Sequence, residues 1–141
     1  MTYFSNTRQV TVEWGHCDPA GIVFNPHFFE YFDASTVLLF EKALGMKKID
    51  MMKIFDGDFP LVDARAKFLM PARFGDVVEI TSQIAEFKRS SFRVQHLITN
   101  QGKLAVDGQE TRVWVGLNTE DPAGIKSRPI PEAIISRLKT A

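Results

Sequence analysis

Residues 26–44 read PHFFEYFDASTVLLFEKAL, and this segment constrains the fold more than any other. Phe28, Phe32, Leu39 and Ala43 recur at helical spacing and mark one stripe, while Phe29, Tyr31, Leu38 and Phe40 widen it. The polar residues Glu30, Asp33, Glu41 and Lys42 do not gather into one solvent face. The flanks punctuate a helix: Asn25 suits the N-cap, Pro26 the first helical position and Gly45 the C-terminal stop. A helix apolar on more than one side must be enclosed, so the rest of the chain has to supply the enclosure.

Strand signals surround it. Residues 8–14 (RQVTVEW) alternate and place Val10, Val12 and Trp14 on one face. Residues 46–57 read as a short helix and loop. Four strands follow at about 59–70, 76–87, 90–100 and 103–118. The turns between them fall at Ala72 to Asp76 with Gly75, at Lys88-Arg89, and at Asn100 to Gly102. PEAIISRLK predicts a closing helix. The order implies an α+β chain in which a five-stranded antiparallel sheet wraps around one long central helix, the hotdog arrangement. An open α+β sandwich is the other architecture this order allows.

At 141 residues the chain suits a single domain, 1–141. A domain of this size buries roughly 68–70% of its unfolded surface and needs no disulfide or metal staple. Seventeen basic residues balance seventeen acidic ones, which argues against a general grip on nucleic acid or an anionic membrane. The single cysteine, Cys17, forms no intrachain disulfide and fits a reducing compartment. No apolar stretch approaches the ~20 residues needed to cross a bilayer, and no signal peptide opens the chain. The expected location is the cytoplasm.

The chemistry concentrates in GHCDPAGIVFNPH, residues 15–27. Here a carboxylate, Asp18, lies in a tight loop just ahead of a helix N-terminus. The first turn of a helix offers unpaired N–H groups and a dipole that favours negative charge. Pro26 has no N–H, so the donors must come from neighbours such as Asn25, His27 and Phe28. Such donors polarise a carbonyl and stabilise an oxyanion, and a nearby carboxylate can attack directly or activate water. The competing reading is structural, because Asp-Pro is a common turn pair and Asp often only caps.

HCDPAGIVFNPHFFEYFD closely resembles the signature of the 4-hydroxybenzoyl-CoA thioesterase family, and EFKRSSFRVQH and PARFGDVVEI are similar to its later strands. The resemblance covers most of the chain. It implies a hotdog acyl-CoA thioesterase with Asp18 as catalytic carboxylate, acting as nucleophile or general base. It assigns the backbone N–H of Asn25 to the oxyanion and a sharp turn to Gly21. Phe24 and Phe28 flank that position as candidate walls for an aromatic or short acyl group. Residues similar to Lys88 and Arg89, and to the later Lys126 and Arg128, meet the coenzyme A phosphates at a subunit edge in that family. Cationic donors are what such phosphates require, although isolated basic pairs are ordinarily solvated surface. A homodimer or homotetramer is implied, and coenzyme A enters only as part of the substrate, with no other cofactor.

Several residues depart from the pattern or compete with it. His16 stands where many members carry Asp, and no role follows from its position alone. A second branch of hotdog thioesterases uses a Glu on the central helix, for which Glu30 is the nearest candidate. His16 and Cys17 are immediate neighbours that point apart in extended backbone, a poor nucleophile pair. The three histidines lack zinc-site spacing, so no metal is expected. Two rival functions stay open: a non-hydrolytic module binding acyl-CoA or acyl-carrier protein, and a hotdog dehydratase or hydratase built on His27 and Glu30.

Overall fold

The computed structural model describes residues 2–117 and 126–139. In chain order the elements are β1 (Ser5–Thr11), a 3-10 turn (Trp14–His16), α1 (Pro26–Leu44), α2 (Lys48–Phe55), β2 (Gly57–Asp58), β3 (Leu61–Phe68), β4 (Val77–Phe87), β5 (Ser91–Asn100), β6 (Lys103–Val113), β7 (Val115–Gly116), β8 (Lys126–Ser127) and α3 (Glu132–Leu138). Five strands form one sheet in the order β1-β4-β5-β6-β3, and every pairing is antiparallel. The sheet packs around α1, the hotdog arrangement. A second, small sheet of β2, β7 and β8 accompanies it.

Two boundaries differ from the sequence reading for identifiable reasons. The first strand ends at Thr11, and Trp14 leaves the sheet for the 3-10 turn, where it is exposed and meets Phe74 edge to face. Gly75 donates to the carbonyl of Val12, whose own N–H bonds Asp76, so the chain is drawn away at that point. The expected last strand, 103–118, stops at Val113, because Trp114 donates to Ser90 and hands Val115–Gly116 to the small sheet.

α1 buries Phe28, Tyr31, Phe32, Leu39, Phe40 and Leu44, together with the polar Ser35 and Thr36. Two apolar clusters fill the space between helix and sheet. One collects Phe28, Phe32, Val78, Ile80, Ile98 and Val106; the other collects Leu39, Phe40, Phe92, Val94, Trp114 and Ile134. Between them runs a polar row in which Ser82, His96 and Gly108 lie opposite one another on β4, β5 and β6. The Phe32 ring stacks on His96, with centroids 4.9 Å apart, and a Cβ at Gly108 would overlap that ring.

Glu110 anchors the row. One carboxylate oxygen accepts from Thr36 and lies 3.0 Å from His96 Nε2; the other accepts from Arg112 Nη2 at 2.8 Å. Ser82 Oγ lies 2.7 Å from His96 Nδ1. Arg112 also donates to the Phe59 carbonyl and to Asp33 of α1. Burial alone would push the Glu110 carboxyl up, but the bonds from His96, Arg112 and Thr36 outweigh it and hold the group at about 2, below its usual 4.5.

Removing one partner of a buried ion pair strands the other, so Glu110→Gln is expected to cost about 3–5 kcal/mol in urea unfolding at neutral pH. A carboxyl held below its ordinary value contributes fully above about pH 4.5 and loses that contribution as pH falls towards about 2. The stability gap between wild type and variant should therefore narrow below about pH 4.5.

Candidate active site

The loop before α1 is a small antiparallel hairpin closed by a bridge between Cys17 and Val23. Asp18 donates its N–H to the Ile22 carbonyl, and its own carbonyl accepts from Gly21. Gly21 has φ +79°, the left-handed conformation that a residue with a side chain adopts only at a cost. One oxygen of Asp18, Oδ1, accepts from the N–H of Ala20 at 2.8 Å. The other has no partner among the described residues.

Asn25 does not cap the helix through its side chain. Its φ of −46° and ψ of −41° are already helical, whereas a capping side chain needs extended backbone to fold back over the first turn. What Asn25 offers is its backbone. Phe24 N–H bonds the His16 carbonyl, His27 N–H bonds Phe24, and Phe28 N–H bonds Asn25. The Asn25 N–H has no partner among the described residues. The start of α1 thus presents one free donor beside a loop that carries a half-buried carboxylate.

A cavity of about 230 Å³ opens at Asn25, lined by Ile22, Phe28, Phe68, Leu69, Met70 and Pro71 among others. Phe28 is buried and faces Phe68 at 5.6 Å. Phe24 is different: it is 53% exposed, borders His27 at 6.1 Å, and is absent from the cavity wall of this chain. The lining from Phe68 to Pro71 was missed in the sequence, although the apolar run FLMP at the end of a strand is the signal for it.

The four basic residues lie elsewhere. Lys88 and Arg89 occupy the β4–β5 turn, closed by Lys88 N–H to the Ser91 carbonyl. The Ile130 N–H bonds the Arg89 carbonyl, so the segment holding Lys126 and Arg128 sits beside them. Lys126 is exposed in β8, and the Arg128 guanidinium packs on Gly116, 3.6 Å from the Asp56 carboxylate. Asp18 adjoins the opposite end of the sheet, where Val12 bonds Asp76. The 11 residues of β4 lie between, about 33 Å at the usual rise per residue. One chain therefore does not bring these cations to Asp18.

The remaining candidates also have definite places. His27 Nδ1 lies 2.8 Å from Glu30, whose carboxylate is largely exposed. Cys17 is half-buried with Sγ 3.5 Å from the Glu13 carbonyl, and its neighbour His16 bonds Tyr31 instead. Among the described residues no cluster of three His, Cys, Asp or Glu could hold a metal. No helix there is long and apolar enough to cross a membrane.

Residues 12–138 match the family model described as the thioesterase-like superfamily. The chain belongs to this family. It is 34% identical over 117 residues to the 4-hydroxybenzoyl-CoA thioesterase of Pseudomonas sp. (strain CBS-3), spanning 78% of this chain and 82% of that protein. The solved structure of that enzyme superposes with a TM-score of 0.86 at 27% identity, covering 94% of this chain and 98% of that one. An aspartate-to-asparagine variant of 4-hydroxybenzoyl-CoA thioesterase, complexed with 4-hydroxybenzoyl CoA, matches equally well at TM-score 0.86 and 27% identity, covering 96% and 99%. A gentisyl-coenzyme A thioesterase gives TM-score 0.80 at 28% identity, covering 94% and 98%. These neighbours are thioester hydrolases of the hotdog fold, the class in which this superfamily member falls.

The left-handed backbone at Gly21 yields a prediction about the loop itself. A Cβ there meets open space, so only backbone strain acts. Gly21→Ala should lose about 1–2 kcal/mol. Gly21→Asn should lose less, since Asn tolerates this conformation. Urea midpoints should rank Gly, Asn, Ala in descending order.

Proposed function

We propose that this thioesterase hydrolyses a small acyl-CoA, aromatic or short-chain, to the free acid and coenzyme A, using Asp18 and the Asn25 N–H. The observation that carries the reading is the occurrence at one helix end of two groups without a partner among the described residues: the Asn25 N–H and one Asp18 carboxylate oxygen. The thioester carbonyl accepts the Asn25 N–H, which strengthens its hold as the oxygen gains charge. Asp18 then either deprotonates water or attacks the carbonyl carbon itself. Collapse of the tetrahedral species breaks the C–S bond and expels coenzyme A as thiolate, which takes up a proton. In the direct route, water subsequently hydrolyses the resulting anhydride. The chain acts as a single domain, 1–141, in the cytoplasm, with coenzyme A only as part of the substrate.

The edge of the sheet supports a dimer as the working unit. Among the described residues β3 pairs only with β6, and Leu61, Val62, Phe68 and Leu69 are exposed near or along its other edge. Unpaired edges invite strand addition. Antiparallel pairing of two β3 strands about an axis normal to the sheet turns the partner end for end. The partner's Lys88-Arg89 end then lies beside Asp18. This arrangement answers the separation found within one chain, and it places Lys88, Arg89, Lys126 and Arg128 where the phosphates of a bound coenzyme A need charge.

Thiol release from aryl-, arylacetyl- and aliphatic-CoA esters tests the chemistry. Asp18→Asn should lower kcat by at least about 100-fold with little change in substrate binding. A wild type that binds acyl-CoA without turnover would make the protein a binding module, and enoyl-CoA consumption without thiol release would point to His27 and Glu30. The dimer has its own test. Co-refolding Asp18→Asn with a Lys88→Glu, Arg89→Glu variant should restore activity, because mixed dimers regain one complete site. No recovery would mean that each chain serves itself.

A further inference from the structure

We propose that His16 is a positioning residue, whose hydrogen bond from Tyr31 holds the Asp18 loop against the N-terminus of α1. The proposal rests on the thioesterase reading above and adds to it a residue that carries no role there. His16 touches both halves of the site. Its carbonyl accepts from Phe24 N–H, adjacent to the Asn25 donor, and its side chain lies 2.9 Å from the Tyr31 hydroxyl, one helical turn into α1. Asp18 follows two residues later. The residue is therefore a strut between the loop that carries the carboxylate and the helix that carries the oxyanion donor.

The direction of the bond follows from a third contact. Glu13 N–H points at the same ring nitrogen, Nδ1, at 3.4 Å. A backbone N–H only donates, so Nδ1 carries the lone pair, the proton sits on Nε2, and Tyr31 O–H is a donor. Tyr31 is suited to that duty: its ring is buried, and burial first, with Cys17 and Glu13 adding, pushes its phenol up to about 12. It stays protonated throughout the working range. The helix side of the strut is fixed as well, since Arg8 Nη2 and Ser35 Oγ both donate to the Tyr31 carbonyl.

The rest of the ring is held as well. Glu13 Oε2 lies 3.8 Å from Nε2 and the His27 ring 5.6 Å away, and the Tyr31 ring meets the imidazole edge to face at 5.3 Å.

Geometry distinguishes two conservative replacements. Asn places its carbonyl oxygen near the position of Nδ1 and can accept from Tyr31; Gln places it near Nε2 and cannot. With the ester on which wild type turns over fastest, Tyr31→Phe and His16→Gln should lower kcat about 5- to 10-fold, the range of one lost hydrogen bond, with KM little changed. His16→Asn should recover most of that loss. Nitrogen-15 NMR of wild type should place the proton of the neutral His16 ring on Nε2. A proton on Nδ1, or equal kcat for the Asn and Gln variants, would overturn the proposal. Those results alongside Asp18-dependent turnover would leave the thioesterase mechanism standing, whereas a wild type inert on every ester overturns both.

Discussion

The structure depends on a buried carboxylate meeting a helix. Glu110 is 1% exposed, and it is tolerable there only because Thr36, His96 and Arg112 all donate to it. Those partners come from α1, β5 and β6, so satisfying one charge also fixes how the helix lies in the sheet. An apolar contact between α1 and the sheet would allow the helix to slide or rotate by small amounts at little cost. Directional bonds do not. The network separates the two apolar clusters, giving each a boundary and leaving α1 one seat along its length.

That seat determines the geometry of the site. The Asn25 N–H projects from the N-cap residue just ahead of the same helix, and its position is set by everything that fixes α1: Glu110 and Arg112 midway along, and Arg8 near the start. Ser82, His96 and Glu110 also form a serine–histidine–carboxylate row with good distances. It is sealed in the core, where no acyl group reaches the serine, so the constellation serves helix placement. Geometry alone does not make a catalytic triad; access decides. The pair proposed for the chemistry is exposed and less conspicuous, a loop aspartate and a backbone amide.

The greasy central helix and the strand order were legible because both rest on periodicity, and burial obeys periodicity. The hairpin at Asp18-Pro19 and Gly21 was legible because turn chemistry is local. The polar row was not read, although it left a trace. The alternation Val78, Ile80, Ile84 skips Ser82, and the skip recurs across the sheet at His96 and Gly108. A single strand shows only a missing hydrophobe; the pairing register is needed to see that three gaps align. Trp14 was misplaced for a related reason, since a tryptophan in phase with a strand says nothing of where the pairing ends, here at Val12, which donates to the Asp76 carbonyl and accepts from Gly75. Asn25 does stand at the N-cap position, but its backbone is already helical and its side chain makes no cap bond, which residue type does not specify, while the donor at the same residue lies in the main chain and is independent of its side chain.

The position of chemistry in this fold follows from how α1 ends. The helix buries one face against the sheet and leaves Glu30, Asp33 and Ala34 exposed on the other, and its two ends are not equivalent. At the C-terminus Gly45 turns left-handed and its N–H closes onto the Glu41 carbonyl, which satisfies the chain there. At the N-terminus Pro26 supplies no donor and the Asn25 N–H has no partner among the described residues, so positive potential faces the arriving Asp18 loop. A sheet that encloses a helix also has two ends, about 33 Å apart along β4. A substrate as long as an acyl-CoA needs a reacting centre at one end of its length and charge at the other. One chain carries Asp18 and Lys88 at opposite ends of its sheet, and the end-for-end dimer proposed above would set them side by side. The exposed edge of β3 and that separation are the two features of the architecture on which the proposed dimer rests.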